Sequence, residues 1–365
     1  MDFFITSMSA AAVELAAQTL RSTFVSEGKR VKEFEAALAS RLGLMNPAAL
    51  NSGTSALHLA LDVVGVGPGD EVILPPQTFI ATGHVVLMQG AKPVFADIDP
   101  ETGNLDPADV RRRITARTRA LIPVHWSGYP CDLDELNALA RERDIAVIED
   151  AAHALGATYR GRPIGAISRF TCFSFQAIKH VTTGDGGALA CLDARDSELA
   201  FTRRWFGIDR VRHQPDLLGE RVYDLDHVGY KYHMNDLAAA VGIGNLADFP
   251  RRLVRRREIA ALYTRELAHV AGLRLLRDDG DRESAYWLFT MRVERRADFI
   301  RKLAESGIPA SVVHLRIDRN RVFGGVREDL PGMALFNKEQ VAIPVHEQLS
   351  SDDLGHIIET IRRGW

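Results

Sequence analysis

The chain has 365 residues, 46% of them hydrophobic and 25% charged, and its 45 Lys plus Arg against 48 Asp plus Glu give a formal net charge of −3. That is globular material with length for about two domains. It excludes collagen-like, coiled-coil and disulfide-scaffold chains, and it carries no basic excess of the kind that binds nucleic acid or an anionic membrane.

No apolar run reaches the ~18 residues of a membrane helix. The opening MDFFITSMSAAAVELAAQ lacks a basic stretch followed by an apolar one, so a soluble, cytoplasmic protein is expected. Cys131, Cys172 and Cys191 have neither CxxC pairing nor metal-ligand spacing. They read as buried thiols, and no metal is expected.

In chain order, Phe34, Leu38 and Leu42 recur at i, i+4 and i+8 and predict a helix that stops at Gly43. A helix opening at Thr54 follows, then an apolar strand, Val72 to Leu74, closed by Pro75 and Pro76. A helical stretch through Val85 and Val86 and a strand from Pro93 to Ile98 complete one β-α-β unit. RALIPVH (119–125), a helix over 132–144 with Asp132 as its N-cap, and the apolar strand IAVIE (145–149) repeat it. This alternation predicts a mainly parallel sheet covered by helices on both faces.

Past residue 245 the character changes. LADFPRRLVRRREIAALYTREL predicts a long amphipathic helix broken near Pro250, followed by a strand over 286–293, a helix near 297–306 and a closing strand and helix. The expected division is a large α/β domain over 1–245 and a smaller α+β domain over 246–365. Five arginines fall between Arg251 and Arg257. They suit either a nucleic-acid contact or a solvated helix face paired with nearby acids, and the net negative charge and lack of interleaved aromatics favour the second.

Open α/β sheets bind ligands beyond the carboxyl ends of their strands, and four polar clusters stand there. NSGTSALHLAL, from Asn51, sets small polar residues before a helix, an arrangement that cradles an anion or merely caps the helix. In PPQTFIAT, Phe79 is either a plate for a flat ligand or a core residue. In IAVIEDAAHALGA, Asp150 ends an apolar strand and needs a cationic or N–H partner unless it caps a following helix, and His153 lies one helical turn on. SRFTCFSFQAIKHVTTGDGGALAC places Ser174 and Lys179 in a loop before Gly184, Gly186, Gly187 and the strand GALAC, and Lys179 beside Ile178 is a candidate Schiff-base amine. Taken together, an anion cradle, an aromatic plate, a strand-end carboxylate and a loop lysine are the parts that hold pyridoxal phosphate.

These segments, with RSTFVSEGKRVKEFEAALASRLG, PVHWSGYPCDLDEL and VGYKYHMNDLAAAVG, resemble the DegT/DnrJ/EryC1/StrS group of sugar aminotransferases, which are fold type I pyridoxal-phosphate enzymes. The resemblance implies that Lys179 holds the cofactor aldehyde, Asp150 the pyridine nitrogen, and His153 a place near the phenolic oxygen. It puts Phe79 on the ring and Gly53, Thr54, Ser55 and Ser174 on the phosphate. It also implies a homodimer in which Lys231, His233 or Asn235 of the second subunit completes the phosphate site. His314, Arg316, Trp205 and the second subunit's stretch from Tyr230 to His233, Lys231 and His233 included, are expected near the substrate, a nucleotide-linked keto sugar, with L-glutamate as amino donor and pyridoxamine phosphate as the half-reaction form. A branch of the group with histidine at the lysine position runs a pyridoxamine-dependent dehydratase. Lys179, followed by His180, favours transamination here, with dehydration or a non-catalytic regulatory role as the alternatives.

Overall fold

The computed structural model describes residues 1–209 and 215–365. Its main sheet has seven strands in the spatial order Ala48–Leu50, Gly187–Cys191, Phe170–Ser174, Ala146–Asp150, Thr118–Leu121, Glu71–Leu74 and Lys92–Phe95. Every strand runs parallel except Gly187–Cys191, which pairs antiparallel with both neighbours. The mainly parallel sheet expected from the alternation of strands and helices is thus present.

Alternation along the strands sends side chains to two separate cores. Ile73, Leu121, Val147 and Phe173 meet the helices Lys29–Leu42 and Leu133–Arg143 through Phe34, Leu38, Leu136 and Leu139. Val72, Ala120, Ile148 and Cys172 meet the helices Gly53–Val64 and Ile80–Met88 through Ala56, Leu59, Val85 and Val86. A strand buried on both faces reads as a continuous apolar run, which is why these strands were visible in the text.

A second sheet, ordered Leu273–Leu275, Phe289–Val293 and Gln340–Ile343, packs with the helices Arg296–Glu305 and Ser351–Arg362 around a third core. One helix, Asp236–Leu267, serves both regions. Phe249 and Leu253 join the core beneath the main sheet, and Ile259, Tyr263 and Leu267 join the third. The expected break at Pro250 is absent. Packing on both sides of the proline holds the helix through the hydrogen bond the ring removes, and the helix also passes uninterrupted through residue 245.

One local expectation holds in position and another is corrected. Asp132 occupies the N-cap of its helix, but its side chain makes no capping bond and pairs instead with Arg282 at 2.7 Å. No helix follows Asp150; residues 151–157 form successive turns, and these bring His153 to the site.

Candidate active site

A cavity of about 350 Å³ opens at the carboxyl ends of the parallel strands, lined by Ser52, Gly53, Thr54, Phe79, Thr82, Asp150, His153, Ser174, Lys179, Trp287 and His314 among others. Four distant segments of sequence converge on it.

The anion cradle is the start of the helix Gly53–Val64. Ser52 Oγ accepts from the Ser55 amide at 3.0 Å, and Ser55 Oγ is bound to Asn51 Oδ1 at 2.6 Å. Ser55 therefore braces the turn and does not line the cavity. The amides of Gly53 and Thr54, at the first two helical positions, have no intrahelical acceptor and carry the positive end of the helix dipole. Close approach explains the glycines: a Cβ on Gly187 would sit 2.4 Å from the Ser52 carbonyl carbon, and one on Gly53 would sit 3.0 Å from Ser174 Cβ.

Asp150 ends its strand buried. Its Oδ2 accepts from Thr82 Oγ1 at 2.8 Å and its Oδ1 from the Ala152 amide at 3.2 Å. Burial pushes the carboxyl up, against the downward pull of the Thr82 hydroxyl, the Ala152 amide and the charge of Lys179. Such a carboxylate is short of a cation.

The loop after Ser174 holds Lys179 by local bonds. Gln176 Oε1 accepts from the Ile178 amide at 3.0 Å, and the Lys179 amide donates to the Gln176 carbonyl at 2.9 Å. Burial lowers the amine to about 7, opposed by the Asp150 charge. A lysine so shifted supplies a neutral amine at ordinary pH.

His153 is buried, and burial holds its imidazole well below its usual value, with the Lys179 charge adding to the effect. Its Nδ1 has no protein partner among the described residues. His314 is brought to about 4, mainly by burial. Its carbonyl accepts from Gln77 at 3.3 Å and Gln340 at 3.0 Å, and it follows Val313 at φ +57°, a left-handed conformation that a β-branched residue adopts only under constraint. Phe79 is more than half exposed at the rim, tilted against His314 with ring centres 5.3 Å apart.

Sequence reasoning missed Thr82 and Trp287. Thr82 stands one helical turn after Phe79, a spacing that could have found it. Trp287 sits in a stretch expected as strand over 286–293, but the strand begins at Phe289, and nothing local gave the indole a role.

Other expected contacts lie elsewhere in this chain. Lys231 is exposed, with Nζ 5.6 Å from the Trp205 ring centre. His233 is buried edge-on against Trp205, with centres 4.2 Å apart. Asn235 caps the long helix, accepting from the Ala238 amide at 2.8 Å. None of the three lines the cavity, nor does Arg316, which forms a buried two-bond pair with Asp318. The arginine cluster is no surface patch: Arg252 and Arg256 are buried around Glu347 at 3.7 and 3.6 Å, and Arg257 donates to the carbonyls of Ser284 and Gly156. Among the described residues lining the cavity, Lys179 is the only lysine and no arginine is present.

A cation-seeking carboxylate, an amine of low basicity, an orphan imidazole nitrogen and free helix-start amides within one cavity fit pyridoxal phosphate, and on this sheet they define a fold type I pyridoxal-phosphate enzyme. The model of the DegT/DnrJ/EryC1/StrS aminotransferase family matches residues 6–362. GDP-perosamine synthase of Caulobacter vibrioides is 34% identical over 94% of this chain and 92% of its own length. Sugar aminotransferase CalS13 of Micromonospora echinospora is 37% identical, covers 100% of both chains and superposes with a TM-score of 0.95. Spr1654 of Streptococcus pneumoniae, solved in PLP and PMP forms, is 30–31% identical with TM-scores of 0.90 and 0.91, over 100% of this chain and 98% of its own.

The chain belongs to the DegT/DnrJ/EryC1/StrS aminotransferase family, and it is a pyridoxal-phosphate-dependent aminotransferase.

Proposed function

We propose that the enzyme moves an amino group from L-glutamate to the keto carbon of a nucleotide-linked keto-deoxysugar in the biosynthesis of an amino sugar. The observation that carries this reading is the meeting of Lys179 and Asp150 in one cavity that fits the cofactor. Relatedness to GDP-perosamine synthase and CalS13 supports the sugar class.

Each residue then has a task. Lys179 anchors the cofactor aldehyde and, when freed, takes a proton from the substrate carbon and returns one. Asp150, held by Thr82, keeps a proton on the pyridine nitrogen. The Gly53 and Thr54 amides and the Ser174 hydroxyl would hold the phosphate, and His153 and Phe79 would hold the ring and its phenolic oxygen. Bound in this way, the cofactor supplies the electron sink that makes the carbon–hydrogen bond acidic. His314 stands at the substrate side.

Lys179 is the one lysine, with no arginine, among the described residues that line the cavity, and a phosphate dianion there calls for a further cation. We assign it to a second copy of the chain, through Lys231, His233 or Asn235, in a homodimer with shared sites. Lys231 suits the task best, since it forms no ion pair among the described residues.

The test is to incubate the enzyme with glutamate and a panel of keto-sugar nucleotides and weigh the products. An amino sugar that appears with wild type and not with Lys179→Ala supports the reading. A deoxygenated sugar would instead point to the dehydratase, and turnover by Lys179→Ala would remove that lysine from its role.

A further inference from the structure

Trp287 touches both Lys179 and His153. It is fully buried. Its Nε1 donates to the carbonyl of Ile178 at 3.0 Å, immediately before the lysine. The ammonium of Lys179 lies 3.6 Å from its ring centre, and the His153 imidazole is stacked on it with centres 3.8 Å apart and planes 17° apart.

The indole is held from two directions. Its own amide donates to the Ser127 carbonyl at 2.9 Å, and Ala285 donates to Gly128 at 3.0 Å. Gly128 has φ +98°, and a Cβ there would fall 2.6 Å from the His153 carbonyl and 3.2 Å from the Trp287 nitrogen. Ser127 and Tyr286, on the two sides of this junction, also have positive φ, at +60° and +46°. Backbone strain concentrated at one junction is maintained by the structure around it.

From the other direction comes the N-terminal segment. Phe4 stacks on the indole with centres 5.1 Å apart, and Phe3 packs edge-on against Phe4. His346 Nε2 donates to the Asp2 carbonyl at 3.1 Å, Ser7 Oγ donates to Glu347, and the Ser9 amide donates to Asn245 Oδ1 at 2.9 Å. Asn245 Nδ2 in turn donates to the Thr182 carbonyl at 2.9 Å, three residues past the lysine. Residues 2–9 thus grip both the indole and the far end of the lysine loop.

We propose that the Trp287 ring is the platform on which the Lys179 ammonium docks whenever that amine is free, and that the strap of residues 2–9, through Phe4, holds the platform in place. The face of an indole attracts a cation and has little to offer a neutral amine, and the attraction grows where water is excluded. The platform therefore favours the protonated amine against the desolvation that disfavours it. It also keeps the amine, with the proton it has taken, inside the cavity. Trp287 and Phe4 are positioning residues. The catalytic meaning rests on the proposed role of Lys179, but the docking itself does not.

The experiment uses apoprotein. The pH dependence of trace acetylation of Lys179 is read by mass spectrometry of its peptide in wild type, Trp287→Leu, Trp287→Phe and Phe4→Ala. Trp287→Leu should lower the labelling midpoint, raising the rate about fivefold or more at a pH below both midpoints. Trp287→Phe keeps a ring face and should stay closer to wild type, and Phe4→Ala should move the midpoint in the same direction as leucine by a smaller factor. A uniform rise at all pH with the midpoint unmoved would mean only that the cavity had opened, and would overturn the proposal. If Trp287→Leu does not fold, Phe4→Ala decides alone: a lowered midpoint supports the platform and its strap, and an unmoved one overturns both. Because no cofactor or substrate is present, failure here is distinguishable from failure of the proposed reaction.

Discussion

Two ionisable groups in one cavity have shifted toward each other: burial lowers the amine of Lys179 to about 7 and raises the carboxyl of Asp150. The lysine makes stability depend on pH in a definite direction. Between about 7 and its unfolded value of 10.5, the unfolded chain binds a proton that the folded chain does not, so this residue makes stability rise with pH across that window. Denaturant titrations of apoprotein should therefore show wild type gaining on Lys179→Met from pH 7 to pH 10. A gap that stays constant would mean the amine is not depressed. Several tyrosines and cysteines titrate in the same range with the opposite sign, and the comparison between the two proteins cancels them.

At this scale Lys179 and Asp150 were legible as candidates, a lysine before a glycine-rich turn and a carboxylate ending an apolar strand, while their expected roles came only from the four segments taken together and the family resemblance. Thr82 and Trp287 were not, since what matters about them is a contact with residues 68 and 108 positions away, and no local signal records such a distance. Ser55 shows the opposite limit. Its residue type suited both roles offered to it, and the bonds to Asn51 and Ser52 decide for the turn.

Among the elements, the helix Asp236–Leu267 departs furthest from its sequence pattern. A proline and five nearby arginines suggested a broken, solvated helix, yet Arg252 and Arg256 are interior and share Glu347. Desolvation lowers the basicity of Arg256, partly offset by that carboxylate. Removing the shared carboxylate strands both arginines, whereas removing Arg256 leaves Glu347 with Arg252. Glu347→Leu should therefore cost about 3–5 kcal/mol and more than Arg256→Leu, as chemical denaturation of the two proteins would measure. Equal losses would mean the cluster is no more than packing. The strands, by contrast, were readable to within a few residues, because burial on both faces writes itself as unbroken apolar runs.

At the level of the whole molecule, a net charge of −3 gave no hint of an anion site, and the structure accounts for that silence. Among the described residues lining the cavity the charge attraction is local, supplied by helix-start amides and one amine. The structure presents no helix, among the described residues, long and apolar enough to cross a membrane. A site that gathers segments from residues 52 to 314, and by proposal a second copy, can be assembled only by the complete fold, so a direct test has to interrogate the intact holoenzyme. Reduction with borohydride fixes the cofactor to the amine that holds it, and proteolysis with mass spectrometry then locates the attachment. The expected result is a single pyridoxyl group on the peptide containing Lys179, with loss of the visible absorption. A pyridoxyl group on another lysine, or none on a cofactor-loaded protein, would contradict the assignment of this cavity as the aminotransferase site.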